Sequence, residues 1–311
     1  MFKVFVTCPP MLGMLSEFTS IANKSGLELV AAQTTQVLSE EELVKQVPNY
    51  DGWIIGDDPA TAEVFRAGKA GQLRAAVKWG IGVDNVDFQA CEKLGIPITN
   101  TPNMFGGEVA DNALGYMIGL ARETFYIDRE IRNGGWPKPP GMSISEKHIG
   151  VVGFGDIGRN TVKRLAGFDV KVTVYDPVVV GDTDYDFVTV KQYPEGLESL
   201  DFLIFTCSLN EHNFHMFDDE SVGHLKDGAK VINVARGPLI DEQALIKGLS
   251  SGKLASAALD VFEEEPLPAM SPLRDMQQCI FGSHNSSNTR EGVIRASESA
   301  IEKLATFLHE S

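Results

Sequence analysis

A chain of 311 residues with a formal net charge of −16 is long enough to bury the cores of about two domains. Its 43% hydrophobic and 23% charged residues are typical of a soluble globular protein, and its acidic balance argues against non-specific binding to nucleic acid. No apolar run is long enough to span a bilayer, and the N-terminal run is too short for a secretory leader, so no membrane partner is expected.

Strand and helix patterns alternate through the first hundred residues, and the alternation indicates a parallel sheet with helical crossovers. The predicted strands are KVFVT, LELVAA, DGWIIG, AAVKWG and GIPIT, and the predicted helices cover 14–26, 39–47 and 61–68. Ser39 and Glu42 have the spacing of a capping box at the start of the second helix.

A second alternating unit follows a long helical pattern over 107–131 and a proline-rich segment at 136–141. Its predicted strands are HIGVV, KVTVYD, DFVTV, DFLIFT, AKVINVA, ASAALDVF and CIFGS. A final helix is predicted over 288–310. The simpler expectation packs this helix on the second unit, and the alternative is that it crosses back to cover the first.

The most distinctive motif is the run VVGFGDIGR at 151–159, which lies between an apolar strand and a helix-like segment. Gly153 permits a tight turn, Gly155 lets the backbone approach a pyrophosphate, and Gly158 lets the helix pack on the strand. Asp156 and Ile157 open the helix, whose first N–H groups can bind phosphate. A glycine triplet alone fits any glycine-rich loop, but in this context it predicts a dinucleotide site.

Asp176 ends the next predicted strand, 18 residues beyond Gly158. A carboxylate at this place can accept a hydrogen bond from the ribose 2′-hydroxyl and would repel a 2′-phosphate. The following residues, 177–181, include no Lys or Arg. The sequence therefore predicts NAD rather than NADP as the cofactor.

The four cysteines, Cys8, Cys91, Cys207 and Cys279, are far apart and lack the spacing of a zinc site. We expect reduced thiols, no bound metal and a cytoplasmic location.

Three further segments place Arg236, Glu265 and His284 just after predicted strands, with Asp260 at the end of the strand before Glu265. Open α/β sheets bind ligands beyond the carboxyl ends of their strands. Taken singly, each residue has an ordinary explanation: Arg236 as a surface cation, Glu265 as a solvated carboxylate and His284 as a loop histidine. Together they supply a carboxylate clamp, an acid/base and a carboxylate to orient it, which are the groups that oxidation of a 2-hydroxy acid requires.

These segments, together with KWGIGVDNVD at 78–87, GIPITNTPN at 95–103 and GEVADNALGYMIGLAR at 107–122, resemble the NAD-dependent D-2-hydroxyacid dehydrogenase family, of the phosphoglycerate dehydrogenase-like kind. The resemblance implies an α/β fold with two Rossmann-like, doubly wound domains and an active-site cleft between them. Residues 1–100 plus 285–311 would form a discontinuous, flavodoxin-like substrate domain, and 101–284 an NAD-binding domain. The segment 104–136 would build a twofold homodimer.

The resemblance also implies roles for the catalytic residues. Arg236 would hold the substrate carboxylate and 2-oxygen, and His284 would exchange the hydroxyl proton. Glu265 would hydrogen-bond the imidazole and favour its protonated form. Lys78 and the Gly80-Ile81-Gly82 backbone would meet the substrate. The remaining expected NAD contacts are Ala235 and Asp260 at the nicotinamide, with Cys207 and Ser286.

The sequence departs from the family at three places. Asn285-Ser286-Ser287 stands where Ile-Gly-Gly is common, so Ser286 and Ser287 are expected to narrow the nicotinamide site or contact substrate. The loop 55–61 carries Asp57 and Asp58 where phosphoglycerate enzymes have an arginine, and Lys78 replaces another. The alternatives are a solvated loop and two aspartates that face the ligand, where they would repel a phosphate and accept hydrogen bonds from hydroxyls or an amine. Lys78, Arg290 and Arg295 could still bind a phosphate. We expect poor activity with 3-phosphoglycerate relative to an uncharged or polyhydroxylated 2-hydroxy acid. With the chain ending at 311, no serine-sensing C-terminal domain is expected.

Two kinds of function compete at this stage. The first is an oxidoreductase that moves hydride between NAD and a small 2-hydroxy or 2-keto acid. The second is an NAD(H)-binding co-regulator of the same architecture without significant turnover. Formate dehydrogenases share the fold but have a glutamine where Glu265 stands, which argues against formate as substrate. Phosphite oxidation is a remaining alternative.

Overall fold

The computed structural model describes residues 1–179, 181 and 183–310. These residues form two compact α/β units, one from 1–104 with the described residues from 288 onward, the other from 105–287. Each unit is built on one parallel sheet, which confirms the predicted two-domain, Rossmann-like fold class. Val180, part of the segment considered for cofactor choice, and Ser311, the end of the predicted 285–311 segment, lie outside the described residues.

In the described part of the first unit, the sheet has five strands in the order β2-β1-β3-β4-β5, so that the order reverses between β1 and β3. The strands are β1 Phe2–Val6, β2 Leu27–Ala31, β3 Gly52–Ile55, β4 Ala75–Lys78 and β5 Ile98–Asn100. The helices are α1 Pro9–Leu12, α2 Leu15–Lys24, α3 Glu40–Gln46, α4 Ala62–Ala70, α5 Phe88–Leu94 and α11 Arg290–Glu310, with a 3-10 turn at Val47–Asn49. Ser39 and Glu42 form the predicted capping box before α3.

The final helix, α11, belongs to the first unit, so the simpler expectation was wrong and the alternative correct. Leu304 and Leu308 press on β3, where a Cβ at Gly52 would lie 3.0 Å from Leu304 Cδ2. Trp79 Nε1, just after β4, donates to Ser297 Oγ at 3.1 Å. The apolar face of the helix is legible in the sequence, but the sheet that it covers is not.

In the described residues of the second unit, the sheet has seven strands in the order β12-β11-β10-β9-β6-β7-β8, which reverses between β6 and β9. The strands are β6 His148–Val152, β7 Lys171–Tyr175, β8 Val188–Lys191, β9 Phe202–Phe205, β10 Ala229–Asn233, β11 Leu254–Leu259 and β12 Cys279–Phe281. The helices are α6 Gly106–Arg122, α7 Thr124–Arg132, α8 Asp156–Leu165, α9 Asp219–His224 and α10 Glu242–Ser251, with 3-10 turns at Ala166–Phe168, Leu197–Ser199, Gly237–Leu239 and Pro272–Asp275.

The long helical pattern over 107–131 is two helices rather than one. Glu123 has a left-handed backbone, with φ of 55°, and its N–H bonds back to Gly119 as the C-cap of α6. The helix-forming residues continue on both sides of Glu123, so composition gives no sign of the break. Within the described residues, no helix combines the length and the apolar character that a membrane span requires.

Candidate active site

The glycine-rich turn joins β6 to α8 and has the shape that a dinucleotide requires. A Cβ at Gly153, whose φ is +93°, would lie 2.7 Å from the backbone of Cys207, and one at Gly158 would lie 2.0 Å from the Gly153 carbonyl oxygen. At Gly155, the N-cap of α8, a Cβ would meet nothing within 4 Å. Packing therefore requires glycine at two positions, while the third leaves open space beside the helix N-terminus. This cradle fits a pyrophosphate.

Asp176, directly after β7, holds this turn in place. Its Oδ2 accepts a hydrogen bond from Phe154 N at 2.7 Å, and its Oδ1 accepts one from Val178 N at 2.9 Å. The carboxylate thus anchors the middle of the glycine-rich turn while its side chain stays partly exposed. This anchoring contact was not predicted, because sequence spacing cannot show that β7 delivers Asp176 beside Phe154.

The other predicted cofactor residues of this region lie around the same edge of the sheet. Asp156 and Ile157 are the first residues of α8, and Asp156 Oδ1 accepts from Asn160 Nδ2 at 3.0 Å. Cys207 follows β9, and burial raises the pKa of its thiol to about 12. The Cys207 thiol is therefore neutral at neutral pH.

Asp260, directly after β11, is 1% exposed and organises the loop that carries His284. Its Oδ1 accepts from Tyr116 OH and from Asn285 N, both at 3.2 Å, and its Oδ2 accepts from Ser286 N at 2.8 Å. Burial, with the neighbouring Asp260 charge, raises the pKa of Tyr116 to about 12, so that the phenol stays protonated and donates.

Ser286 is buried, and its hydroxyl points to α6 and not into open space. Ser286 Oγ accepts a hydrogen bond from Asn112 Nδ2 at 2.6 Å. Asn112 and Tyr116 were not predicted as site residues, although their separation of four residues places them on one face of a helix.

His284 and Glu265 form a hydrogen-bonded pair. His284 Nδ1 lies 2.8 Å from Glu265 Oε2, and both side chains are 23% exposed. Glu265 Oε1 also accepts from Phe262 N at 3.0 Å, which fixes the carboxylate. The backbone of His284 is left-handed, with φ of 56°, and its N–H donates to Asp260 O at 2.6 Å. With Nδ1 on the carboxylate, Nε2 is the ring nitrogen positioned for proton exchange with a ligand.

Arg236 lies in the turn after β10, next to Ala235. Its Nη1 donates to Ala235 O at 2.9 Å, and its carbonyl oxygen accepts from Asn233 Nδ2 at 2.8 Å. The next residue, Gly237, packs so tightly that a Cβ would lie 1.8 Å from Phe262 O. The turn of Arg236 and the segment that anchors Glu265 are therefore in backbone contact.

The predicted substrate residues of the first unit lie at the carboxyl end of β4. Lys78 ends that strand with a side chain only 3% exposed, and its Nζ donates to Asp57 Oδ1 at 3.1 Å and to Trp79 O at 3.0 Å. Gly80, with φ of +104°, donates its N–H to Thr101 Oγ1 at 2.7 Å. Ile81 and Gly82 continue this loop, and the Ile81 side chain is 42% exposed.

Asp58 fits neither expectation for the 55–61 loop, because it is fully buried. Its carboxylate accepts from the Thr7 hydroxyl, from Leu38 N at 2.9 Å and from Gly56 N at 3.2 Å. Burial raises the pKa of Asp58 above its ordinary value. The expectation that both carboxylates face a ligand is therefore wrong for Asp58, because hydrogen-bond donors from the surrounding loops hold its carboxylate in the interior of the unit.

The two arginines considered for phosphate binding have partners of their own. Arg290 donates to both oxygens of Glu17, at 2.7 and 2.6 Å, and Arg295 donates to Met104 O.

Among the described residues, one group has the composition of a metal site: His215, Asp241 and Glu263, with donor atoms within 4.8 Å of one another. His215 Nε2 and Glu263 Oε1 are 3.1 Å apart, the distance of an ion pair.

Residues 114–286 match the family model described as D-isomer specific 2-hydroxyacid dehydrogenase, NAD binding domain. That match covers more than half of the chain, which therefore belongs to the D-isomer specific 2-hydroxyacid dehydrogenase family. The protein is an NAD-dependent oxidoreductase that acts on a CH–OH group, and the NAD prediction is confirmed.

Several curated relatives are similar over most of this chain. A glyoxylate reductase of Thermofilum pendens is 35% identical over 98% of this chain and 91% of its own length. A hydroxypyruvate reductase of Thermotoga maritima is 33% identical over 91% of this chain and 92% of its own length. A D-3-phosphoglycerate dehydrogenase of Sus scrofa is 34% identical over 89% of this chain, which spans 52% of that relative. In a crystal structure, the TT0316 protein of Thermus thermophilus superposes with a TM-score of 0.88 at 28% identity, covering 99% of this chain and 97% of its own.

Proposed function

We propose that this enzyme reduces small, unphosphorylated 2-keto acids to D-2-hydroxy acids with NADH and catalyses the reverse oxidation with NAD. The observation that carries the proposal is the pair His284 Nδ1–Glu265 Oε2, at 2.8 Å. A histidine fixed at one ring nitrogen by a carboxylate is suited to donate a proton from the other and to take it back.

The cofactor would be held by the groups around the glycine-rich turn. The α8 N-terminus and Gly155 would bind the pyrophosphate, Asp176 the ribose, and Ala235, Asp260 and Cys207 the nicotinamide end. Bound NADH supplies the hydride. Ser286, whose hydroxyl is engaged by Asn112, would contribute through the position of its loop.

The catalytic roles follow from charge and geometry. In the reduction, Arg236 holds the substrate carboxylate and polarises the C2 oxygen with its guanidinium. His284 gives a proton to that oxygen as the C2 hydroxyl forms, and Glu265 stabilises the imidazolium beforehand. In the oxidation, neutral His284 accepts the hydroxyl proton. The N–H groups of Ile81 and Gly82 would be the backbone donors for the carboxylate, because the N–H of Gly80 is already bonded to Thr101.

The unphosphorylated substrate class is supported by the charge at the end of β4. Lys78, the cation that a phosphate would need, already pairs with Asp57. A phosphate monoester carries about two negative charges and is usually held by unpaired Arg or Lys. Two relatives of which this chain covers more than nine tenths are a glyoxylate reductase and a hydroxypyruvate reductase, which supports the same substrate class.

A twofold homodimer through residues 104–136 is part of the proposal. Large apolar side chains are exposed along α6, α7 and the segment after them: Ile118, Phe125, Ile131 and Trp136, with 78% exposure for Trp136. Such a set is typical of an interface. A monomer in sedimentation experiments at micromolar concentration would contradict it.

The four cysteines are unpaired, in keeping with a reducing, cytoplasmic location.

The test is a panel of 2-keto acids, namely glyoxylate, pyruvate, hydroxypyruvate and 3-phosphohydroxypyruvate, with NADH loss as the readout. His284→Ala should lower turnover roughly 10²–10⁴-fold while NADH binding, followed by fluorescence, is kept. His224→Ala, on the exposed face of α9, is the matched control. If the wild-type protein binds NADH but reduces none of these acids, the proposal fails and the co-regulator alternative gains.

A further inference from the structure

We infer that the ion pair between Asp57 and Lys78 sets substrate selectivity: Asp57 masks a buried cation that would otherwise bind an anionic substrate tail. The inference rests on the proposed function and names the residues that decide its substrate class. The pair belongs entirely to the first unit, in which Asp57 follows β3 and Lys78 ends β4.

The place of the pair in the sheet is the first step. The strand order β2-β1-β3-β4-β5 reverses between β1 and β3, and open α/β sheets bind ligands beyond the carboxyl ends of strands at such a point. Asp57 and Lys78 lie at the carboxyl ends of β3 and β4, and the Gly80–Gly82 loop follows directly. A ligand at this edge would meet the pair.

The unequal exposure of the two side chains is the second step. The Lys78 side chain is 3% exposed, whereas that of Asp57 is 40% exposed, with 3.1 Å between Nζ and Oδ1. An approaching ligand therefore meets a carboxylate with an ammonium group behind it. The carboxylate would repel a phosphate that approaches Lys78, whereas a hydroxyl or a hydrogen would be tolerated.

The third step separates Asp57 from its neighbour. Asp58 is fully buried and accepts from Thr7, Leu38 and Gly56, so its role is to hold the loop. Of the two adjacent aspartates, Asp57 is the one whose carboxylate is both exposed and bonded to Lys78. Replacing Asp57 by asparagine keeps the size of the side chain but removes the charge. Lys78 would then be a buried cation without its carboxylate, a state that strongly favours capture of an anion.

The experiment compares hydroxypyruvate with 3-phosphohydroxypyruvate, two substrates that differ only by the phosphoryl group. The measured quantity is the ratio of their kcat/KM values in the wild type and in Asp57→Asn. We expect Asp57→Asn to shift the ratio toward the phosphorylated acid by at least about tenfold, as loss of a close like charge implies. Inhibition by inorganic phosphate should strengthen in parallel. Asp57→Ser gives the same test if Asp57→Asn folds poorly.

Two further variants assign the effect to Lys78. The double variant Asp57→Asn/Lys78→Met should lose the gain, because the cation is gone. Glu63→Gln removes an exposed carboxylate that pairs with Arg66 in the same unit, and should leave the ratio at its wild-type value.

The outcomes separate the two hypotheses. Wild-type turnover of unphosphorylated acids tests the proposed function by itself. If that turnover is present and the ratio in both Asp57 variants equals that of the wild type, the selectivity role is overturned and the proposed function stands. A gain that persists in the double variant would equally overturn the role of Lys78. A wild type that prefers the phosphorylated acid would refute the proposed substrate class, while the response to Asp57→Asn still decides the role of the pair.

Discussion

Ser286 Oγ accepts a hydrogen bond from Asn112 Nδ2 at 2.6 Å and so ties the loop after His284 to α6. The same loop is held from a second side, because Asp260 Oδ2 accepts from Ser286 N at 2.8 Å. His284 is therefore two residues away from a point fixed by both main-chain and side-chain contacts. Ser286, one of three residues at which this chain departs from the Ile-Gly-Gly pattern, therefore helps to position the loop.

Ser286→Gly should lower the free energy of unfolding by about 1 kcal/mol, the usual net value of one buried hydrogen bond. It should also lower kcat by several-fold, because His284 is less well positioned. Asn112→Ala removes the other partner, so the double variant should cost less than the sum of the single variants. Fully additive losses, measured by urea denaturation and steady-state kinetics, would show that the two residues are not coupled.

The sequence was informative wherever one local pattern determined one local structure. The glycine-rich turn, the capping box of Ser39 and Glu42, and the strand ends that carry Arg236 and His284 follow from period and spacing. Asn112, which meets Ser286 across 174 residues, could not be found in this way. Asp57 and Asp58 are adjacent and chemically identical, yet one is paired at the surface and the other is buried. Only tertiary packing distinguishes them.

Asp176 should favour NAD over NADP by a factor on the order of a hundred, about 2.7 kcal/mol, from one lost hydrogen bond and one charge repulsion. The measurement is kcat/KM for NADH and for NADPH, each determined with the same 2-keto acid at the same concentrations. Because Asp176 also accepts from Phe154 N, Asp176→Ala should weaken NADH binding as well as relax the preference. Equal efficiency with both cofactors in the wild type would exclude this role of Asp176.

Glu265→Gln should move the pH profile of the reduction to lower pH. The reduction needs protonated His284, so activity falls as pH rises, and a neutral amide stabilises the imidazolium less than a carboxylate does. The loss of activity should therefore begin at lower pH in the variant, and the oxidation, which needs neutral His284, should extend to lower pH. Profiles of kcat/KM in both directions provide the test. An unchanged profile would mean that the 2.8 Å contact does not tune the imidazole.

Gly237→Ala should disrupt the site without touching a catalytic side chain. A Cβ at this position would lie 1.8 Å from Phe262 O, so the turn of Arg236 and the segment of Phe262 must move apart. We expect a loss of roughly 3 kcal/mol in stability, at the upper end of overpacking costs, and a large fall in kcat/KM. Gly223→Ala in α9 is the control, since a Cβ there meets nothing within 4 Å and alanine favours a helix. Wild-type kinetics in Gly237→Ala would refute the backbone contact.

Asp58 should make the first unit less stable as pH rises, the reverse of the usual behaviour of an aspartate. Burial raises its pKa above the ordinary 3.8, against the smaller opposing effects of its hydrogen bonds to Leu38 N and Thr7. Between 3.8 and that raised value, the folded chain keeps a proton that the unfolded chain releases, so the free energy of unfolding falls as pH rises. Asp58→Ala should lose about 1–3 kcal/mol, because buried donors lose their acceptor, and its deficit relative to the wild type should shrink as pH rises through this window. Urea denaturation at a series of pH values measures the deficit. Glu63→Gln, at an exposed position, is the control: its free energy of unfolding should change with pH in parallel with that of the wild type. A deficit that grows with pH would mean that the folded state stabilises the ionised form of Asp58.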